Sequence, residues 1–262
     1  MKVVILAGGY GTRLSEETVN IPKPMVEIGE KPILWHIMKS YSNYGFNDFI
    51  ICLGYKGYII KEYFANYFLH QSDVTFDMKN NKMEIHDSHA EPWSVTLIDT
   101  GLDALTGARV KRIEKYIDTD QFMLTYGDGV SNVNFNKLID FHNQHDKIAT
   151  LTAVQPAGRF GALKIENDNS ITKFNEKPKG DNVWINGGFF VLEKEVYDYI
   201  DDNPGNIWET DVLAPLAEKG ELSAYKHTDF WQCMDTLRDK NHLEDLIRNN
   251  QTPWLDNIIK KD

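Results

Sequence analysis

The chain has 262 residues, 42% of them hydrophobic and 26% charged, with two cysteines and a formal net charge of −11. A chain of this length buries a full core without disulfides or a structural metal, and Cys52 and Cys233 have no metal-ligand spacing, so both read as reduced thiols. The acidic balance speaks against a general nucleic-acid binder, which needs a basic surface, and no run approaches the ~20 apolar residues of a membrane span.

The first apolar run, residues 3–7, stops at Gly8-Gly9 and is too short for a signal core, so a soluble cytoplasmic protein is expected. The run reads as a buried strand opening an α/β sheet. Pro32 begins a helix reaching about Tyr44, with Ile33, Ile37 and Tyr41 at helical spacing and Gly45 as the stop. Residues 49–53 are a second buried strand, and 58–68 are helical with a broad aromatic face. Alternation over 74–86 around Lys79-Asn80-Asn81-Lys82 predicts a β-hairpin.

Strands follow at 95–98 and 122–126, with a helix ending near Tyr116 between them. A helix over 135–145, a strand over 148–154, a second hairpin over 162–175 and a strand over 184–192 continue the pattern. Helical segments near 193–200, 209–219 and 236–249 complete it. This alternation predicts one α/β domain over 1–262, Rossmann-like, with a mixed, mostly parallel sheet, helices on both faces and a hairpin excursion at about 70–92. The aromatic face at 63–68 and the hairpin after it offer more apolar surface than one helix normally buries, so a homo-oligomer is expected.

Chemistry concentrates first in Leu6-Ala7-Gly8-Gly9-Tyr10-Gly11-Thr12-Arg13-Leu14. Without side chains in the way, the glycine amides can approach an anion closely. Leu14 stands where a dinucleotide fingerprint needs its third glycine, and no Gly-Lys-Ser/Thr ends the loop as in a P-loop. Glycines alone fit a tight turn equally well; the planar fork of Arg13 shifts the balance towards phosphate. Ten residues on, the prolines of Pro22-Lys23-Pro24 keep Lys23 in an extended segment, presented rigidly for a polyphosphate. The histidines form no H-E-x-x-H cluster, and no serine lies in a nucleophile elbow.

The glycine loop, Thr12-Arg13 and Pro22-Lys23-Pro24 resemble the signature of the sugar-nucleotide pyrophosphorylases. The resemblance runs nearly the whole length, through Lys31-Pro32-Ile33-Leu34-Trp35-His36, Thr125-Tyr126-Gly127-Asp128-Gly129, Glu176-Lys177-Pro178, Ile185-Asn186-Gly187-Gly188 and Met234-Asp235-Thr236. Within that family the motifs are most similar to the cytidylyl branch, which implies CTP and glucose 1-phosphate as substrates. dTTP or UTP in place of CTP, and a regulatory subunit that binds without turnover, remain the alternatives.

The resemblance implies a role for each motif residue. Arg13, Lys23 and Asp128 would be catalytic. Leu6, Ala7, Gly8, Gly9, Gly11, Thr12, Thr106, Arg109 and Gly127 would join Arg13 and Lys23 around the nucleotide. Asp128 and Asp235, each of which alone could be a turn residue or helix cap, would together hold Mg²⁺. Glu176, Lys177, Asn186, Gly187 and Gly188 would bind the sugar phosphate, the first two otherwise reading as a solvated loop. Trp231 packs either on a sugar ring or in the core. Cys233 and Ala108 depart from the family, standing for a proline and a glycine.

Overall fold

The structure, a computed structural model, describes residues 1–156, 162–165, 170–175 and 183–256. Strand β1 (Lys2–Leu6) is buried on both faces and sets the layers. Val3 and Ile5 join one core cluster while Val4 and Leu6 join another, so helices must cover both sides of the sheet. After β1 the chain forms α1 (Ile33–Ser42), β2 (Asp48–Leu53), α2 (Gly57–Ala65), the hairpin β3 (Ser72–Asp77) and β4 (Lys82–Ser88), and then β5 (Ser94–Asp99). It continues with α3 (Thr106–Arg112), β6 (Gln121–Tyr126), β7 (Gly129–Ser131), α4 (Phe135–His142) and β8 (Ala149–Val154). A small pair, β9 (Ala162–Ile165) and β10 (Ile171–Asn175), precedes β11 (Ile185–Glu193), α5 (Ala214–Glu218), β12 (Leu222–His227), β13 (Trp231–Cys233) and α6 (Leu237–Arg248).

The seven-stranded sheet runs in the order β12-β8-β11-β6-β1-β2-β5. β1 is parallel to both neighbours, Ile5 lying opposite Ile51 on one side and Thr125 on the other. Only β11 runs against the rest, antiparallel to β6 and to β8. The sheet is therefore the mixed, mostly parallel one expected. The polarity of β11 puts its first residues, Ile185 to Gly188, at the edge where β1 and β6 end. Apolar residues of α1, α4 and α6 cover one face, and those of α3, α5 and the segment 196–213 cover the other. No helix among the described residues is long and apolar enough to cross a membrane.

Three expectations change. The helix predicted over 58–68 breaks at Asn66 into α2 and a single turn, Tyr67–His70. Its aromatic face is largely absorbed by the core: Tyr63 and Phe64 pack against it, and the Tyr67 hydroxyl accepts from Trp35 Nε1 at 3.0 Å. The segment near 209–219 is a π-turn, Trp208–Leu213, followed by α5. Pro215 has no N–H to return to residue 211, so the ordinary helical register cannot run through it. The ribbon of β7 with β13, and β12 itself, were not anticipated.

Candidate active site

The carboxyl ends of β1 and β6 and the start of β11 open on a cleft of about 1610 Å³. Leu6, Ala7, Gly8, Gly9, Gly11, Thr12 and Arg13 form one wall. Their loop leaves β1 and closes on Gly11, which has φ 67° and leads into the turn Thr12–Leu14. Its backbone is fixed from behind. The Gly8 carbonyl accepts from Tyr55 N–H at 3.1 Å and from Arg109 Nη2 at 3.0 Å.

Arg109 is buried within α3 and also donates to the Leu53, Gly101 and Leu102 carbonyls and to the Thr100 hydroxyl. Burial draws its pKa below the ordinary arginine value. A Cβ on Gly8 would lie 2.2 Å from Arg109 Nη1, so the loop needs glycine there to sit on the guanidinium. Thr106, at the start of α3, accepts from the Trp208 N–H at 2.9 Å and also borders the cleft.

Lys23 occupies the floor. Pro22 is extended, but Lys23, expected in an extended segment, opens a single 3₁₀ turn, Lys23–Met25, closed by Met25 N–H on the Pro22 carbonyl at 2.8 Å. Pro24 is tolerated inside this turn because its missing donor would have no partner there. The Lys23 side chain is 10% exposed, and its ammonium lies 2.6 Å from Asp128 Oδ2 and 2.6 Å from Asp235 Oδ1. Arg13 Nη1 reaches the other oxygen of Asp235 at 2.7 Å. Burial pulls the Lys23 pKa down, but Asp128 and Asp235 outweigh it and the pKa is raised.

The β7–β13 ribbon brings the two carboxylates together. Asp128 precedes β7, Asp235 follows β13, and Met234 N–H donates to the Asp128 carbonyl at 2.8 Å. Asp235 does not cap α6; Thr236 does, its hydroxyl accepting from Asp239 N–H while the Asp239 carboxylate accepts from Thr236 N–H at 2.9 Å. Gly127 is tied to the end of β1 by its N–H on the Leu6 carbonyl at 3.0 Å. Burial, followed by Asp235 and Asp128, pushes the Cys233 thiol up to about 11, so it stays protonated.

Two carboxylate oxygens thus converge on one cationic centre. That donor set suits a hard divalent ion, which takes one or two carboxylates and completes its shell with phosphate oxygens and water. Among the described residues there is no group of three or more His, Cys, Asp or Glu that could hold a metal.

The opposite wall holds Asn186, Gly187, Gly188 and Trp231. Trp231 Nε1 donates to the Gly187 carbonyl at 2.7 Å, and Gly188 N–H donates to Asn186 Oδ1 at 2.8 Å. Gly188 has φ 81°, and a Cβ there would meet the Tyr126 ring at 2.6 Å. Glu176 and Lys177 lie outside the described residues. The cleft also contains Tyr126 and Glu209, neither singled out from the sequence. Glu209 lies in none of the motifs read from the sequence.

A Rossmann-like sheet with a glycine loop and a Lys–Asp–Asp cluster at one edge is the arrangement of a nucleotidyltransferase, the class to which sequence comparison assigns it. Residues 2–239 match the family described as Nucleotidyl transferase, and the chain belongs to that family. It is 60% identical over 255 residues to the glucose-1-phosphate cytidylyltransferase of Salmonella typhi, covering 97% of this chain and 98% of the relative. The probable glucose-1-phosphate cytidylyltransferase of Bacillus subtilis (strain 168) is 42% identical over 97% of this chain and 99% of its own. Among solved structures, HddC from Yersinia pseudotuberculosis superposes with a TM-score of 0.68 at 27% identity, over 94% of this chain and 99% of that one.

Proposed function

We propose that this chain, as one nucleotidyltransferase domain of the cytoplasm, transfers the cytidylyl group of CTP to glucose 1-phosphate, giving CDP-glucose and pyrophosphate. The observation that carries the chemistry is the ammonium of Lys23 between Asp128 and Asp235 beside the glycine loop. The 60% identity to a cytidylyltransferase carries the choice of substrates.

The sugar phosphate is already an anion at neutral pH, so no strong base is required. One of its oxygens attacks the α-phosphorus in line, the bond to the β-phosphate oxygen breaks, and pyrophosphate leaves with that electron pair. The protein's task is positioning and charge neutralisation. The amides of Gly8, Gly9, Gly11 and Thr12, with Arg13, hold the triphosphate, and Leu6, Ala7, Gly127, Thr106 and Arg109 shape its nucleotide side. Lys23 gives up a carboxylate for a phosphate oxygen as CTP enters. Glu176, Lys177, Asn186, Gly187, Gly188 and Trp231 receive the glucose 1-phosphate, Lys177 countering the repulsion between two anionic reactants.

A divalent metal is general in this family. Asp128 and Asp235 would hold it as Mg²⁺, which when bound neutralises phosphate charge. A pyrophosphate-release assay across nucleoside triphosphates and sugar 1-phosphates is expected to give the highest kcat/KM for CTP with glucose 1-phosphate. A win for dTTP or UTP would overturn the cytidylyl choice and leave the class standing.

The protein acts as a homo-oligomer through the β3–β4 hairpin. Phe76 faces Met83, and Val74 faces Ile85, across the two strands. Phe76, Met83 and Ile85 remain 55%, 51% and 41% exposed, so among the described residues this apolar face has no cover. A two-stranded hairpin is marginal in water, and a second copy supplies the missing layer. Light scattering at micromolar concentration should give a multiple of the 30.2 kDa chain mass, and Phe76→Asp with Met83→Asp should give the monomer. A wild-type monomer at that concentration would remove the oligomer.

A further inference from the structure

Glu209 has no part in the chemistry above, yet the fold takes trouble to hold it in the cleft. The π-turn that carries it is anchored by buried Trp208, Val212 and Leu213. Single π-turns of this kind cluster at functional sites. Turned outward, the carboxylate accepts two hydroxyl protons, from Tyr126 on Oε1 and from Thr106 on Oε2 at 3.2 Å. The Tyr126 hydroxyl in turn accepts from Asn186 Nδ2 at 3.1 Å, and Asn186 is itself held by the Gly188 N–H. Tyr126 cannot swing away, because Gly188 lies against one face of its ring and Phe190 packs edge-on at 5.9 Å.

The placement is electrostatically costly. A cleft for a triphosphate and a sugar phosphate is a poor place for an additional negative charge, since Glu209, exposed in the open cleft, would lie beside like charges once the reactants displaced its water. That cost is lowest where the bound reactants are neutral, at a polyol. A carboxylate offers about four acceptor positions, and the two internal bonds leave the remainder facing the cleft. The hydrogen-bonded chain from Glu209 through Tyr126 to Asn186 runs to the wall of β11.

We propose that Glu209 is a specificity-determining residue of the sugar subsite, its carboxylate accepting a hydroxyl of the hexose while Tyr126 and Asn186 hold it in place. The assignment rests on the sugar 1-phosphate reading given under Proposed function. A site built to accept a hydroxyl rejects the analogue lacking it far better than an apolar pocket senses a missing methylene. Glu209 thereby separates glucose from deoxy sugars.

The test is a cycle between Glu209→Gln and the substrate. Kinetics are measured with CTP and glucose 1-phosphate, with its 2-, 3-, 4- and 6-deoxy analogues, and with 2′-deoxy-CTP. Glu209→Gln is expected to raise KM for glucose 1-phosphate about 10-fold or more, a charge-assisted hydrogen bond having been weakened, and to change KM for CTP by less than about two-fold. It should also abolish discrimination against one deoxy sugar and leave the other three intact. Glu209→Asp, keeping the charge, should recover part of that discrimination. An equal loss with every sugar and with CTP means that Glu209 only braces the π-turn, and overturns the proposal. Lost discrimination at the 2′-hydroxyl of CTP overturns it too, since the carboxylate would then face the ribose. If wild type does not turn over glucose 1-phosphate, the substrate reading fails separately, and the same deoxy series on the sugar phosphate it does use decides Glu209.

Discussion

Asp128→Asn and Asp235→Asn are each expected to lower kcat by roughly 10²-fold or more, a loss of about 2.7 kcal/mol of transition-state stabilisation. Asparagine keeps the size and much of the hydrogen bonding of aspartate and removes one negative charge. If the two carboxylates hold Mg²⁺ against the phosphates, either change removes one of the two anionic ligands they supply. Stability should fall by no more than about 1 kcal/mol, because Lys23 keeps the other carboxylate and both acids are partly open to water. The cap of α6 is untouched, since Thr236 and Asp239 provide it. Steady-state kinetics over a Mg²⁺ titration, with thermal melts alongside, check this. Near-normal kcat in both variants with an unchanged Mg²⁺ dependence would sink the metal role. If only Asp235→Asn behaves so, Asp128 alone is the ligand, and Asp235 serves to position Lys23 and Arg13.

Arg109→Met is expected to destabilise the fold by about 3–5 kcal/mol, because the guanidinium serves acceptors from several segments at once. Methionine fills much of the volume but takes the guanidinium donors from the Gly101 and Leu102 carbonyls, and leaves that of Gly8 with Tyr55 N–H and that of Leu53 with Thr100. These carbonyls sit where β1, β2 and β5 end, so the loss should loosen the edge that carries the glycine loop. Urea denaturation with matched m-values is the measurement. Arg109→Lys should recover little, since one ammonium cannot span the same acceptors. A shift under about 1 kcal/mol would mean that water replaces the guanidinium readily, and that the arginine is held there for a ligand instead.

The sheet was readable because buried parallel strands are written as unbroken apolar runs: residues 3–7, 49–53 and 122–126 need no context to be strands. The β7–β13 ribbon was not. Its strands are three residues long and about a hundred residues apart, and no local pattern marks such a pairing. β12, Leu-Ser-Ala-Tyr-Lys-His, lies at the sheet edge with a mixed burial pattern, and its sequence is correspondingly mixed. In the cleft, the glycine loop and Lys23 were legible from residue chemistry, whereas Asp235 stood out only through family resemblance. Glu209 was invisible because nothing in its neighbours signals that Pro215 widens the turn before it. The aromatic face at 63–68 misled for the opposite reason, since Trp35 and Trp93, distant in sequence, supply its cover.

The reversed strand β11 also orders the events of synthesis. Residues 2–126 contain β1, β2, β5 and β6, which can pair as a four-stranded sheet while the remainder is still being translated. β8 reaches that sheet only through β11, so although it leaves the ribosome earlier it must wait unpaired for residues 185–193. Through that interval the edge of β6 that β11 will occupy carries unpaired backbone groups, the kind of edge on which other strands can pair. Lys23 waits longer still, meeting Asp235 only after 212 further residues have been joined.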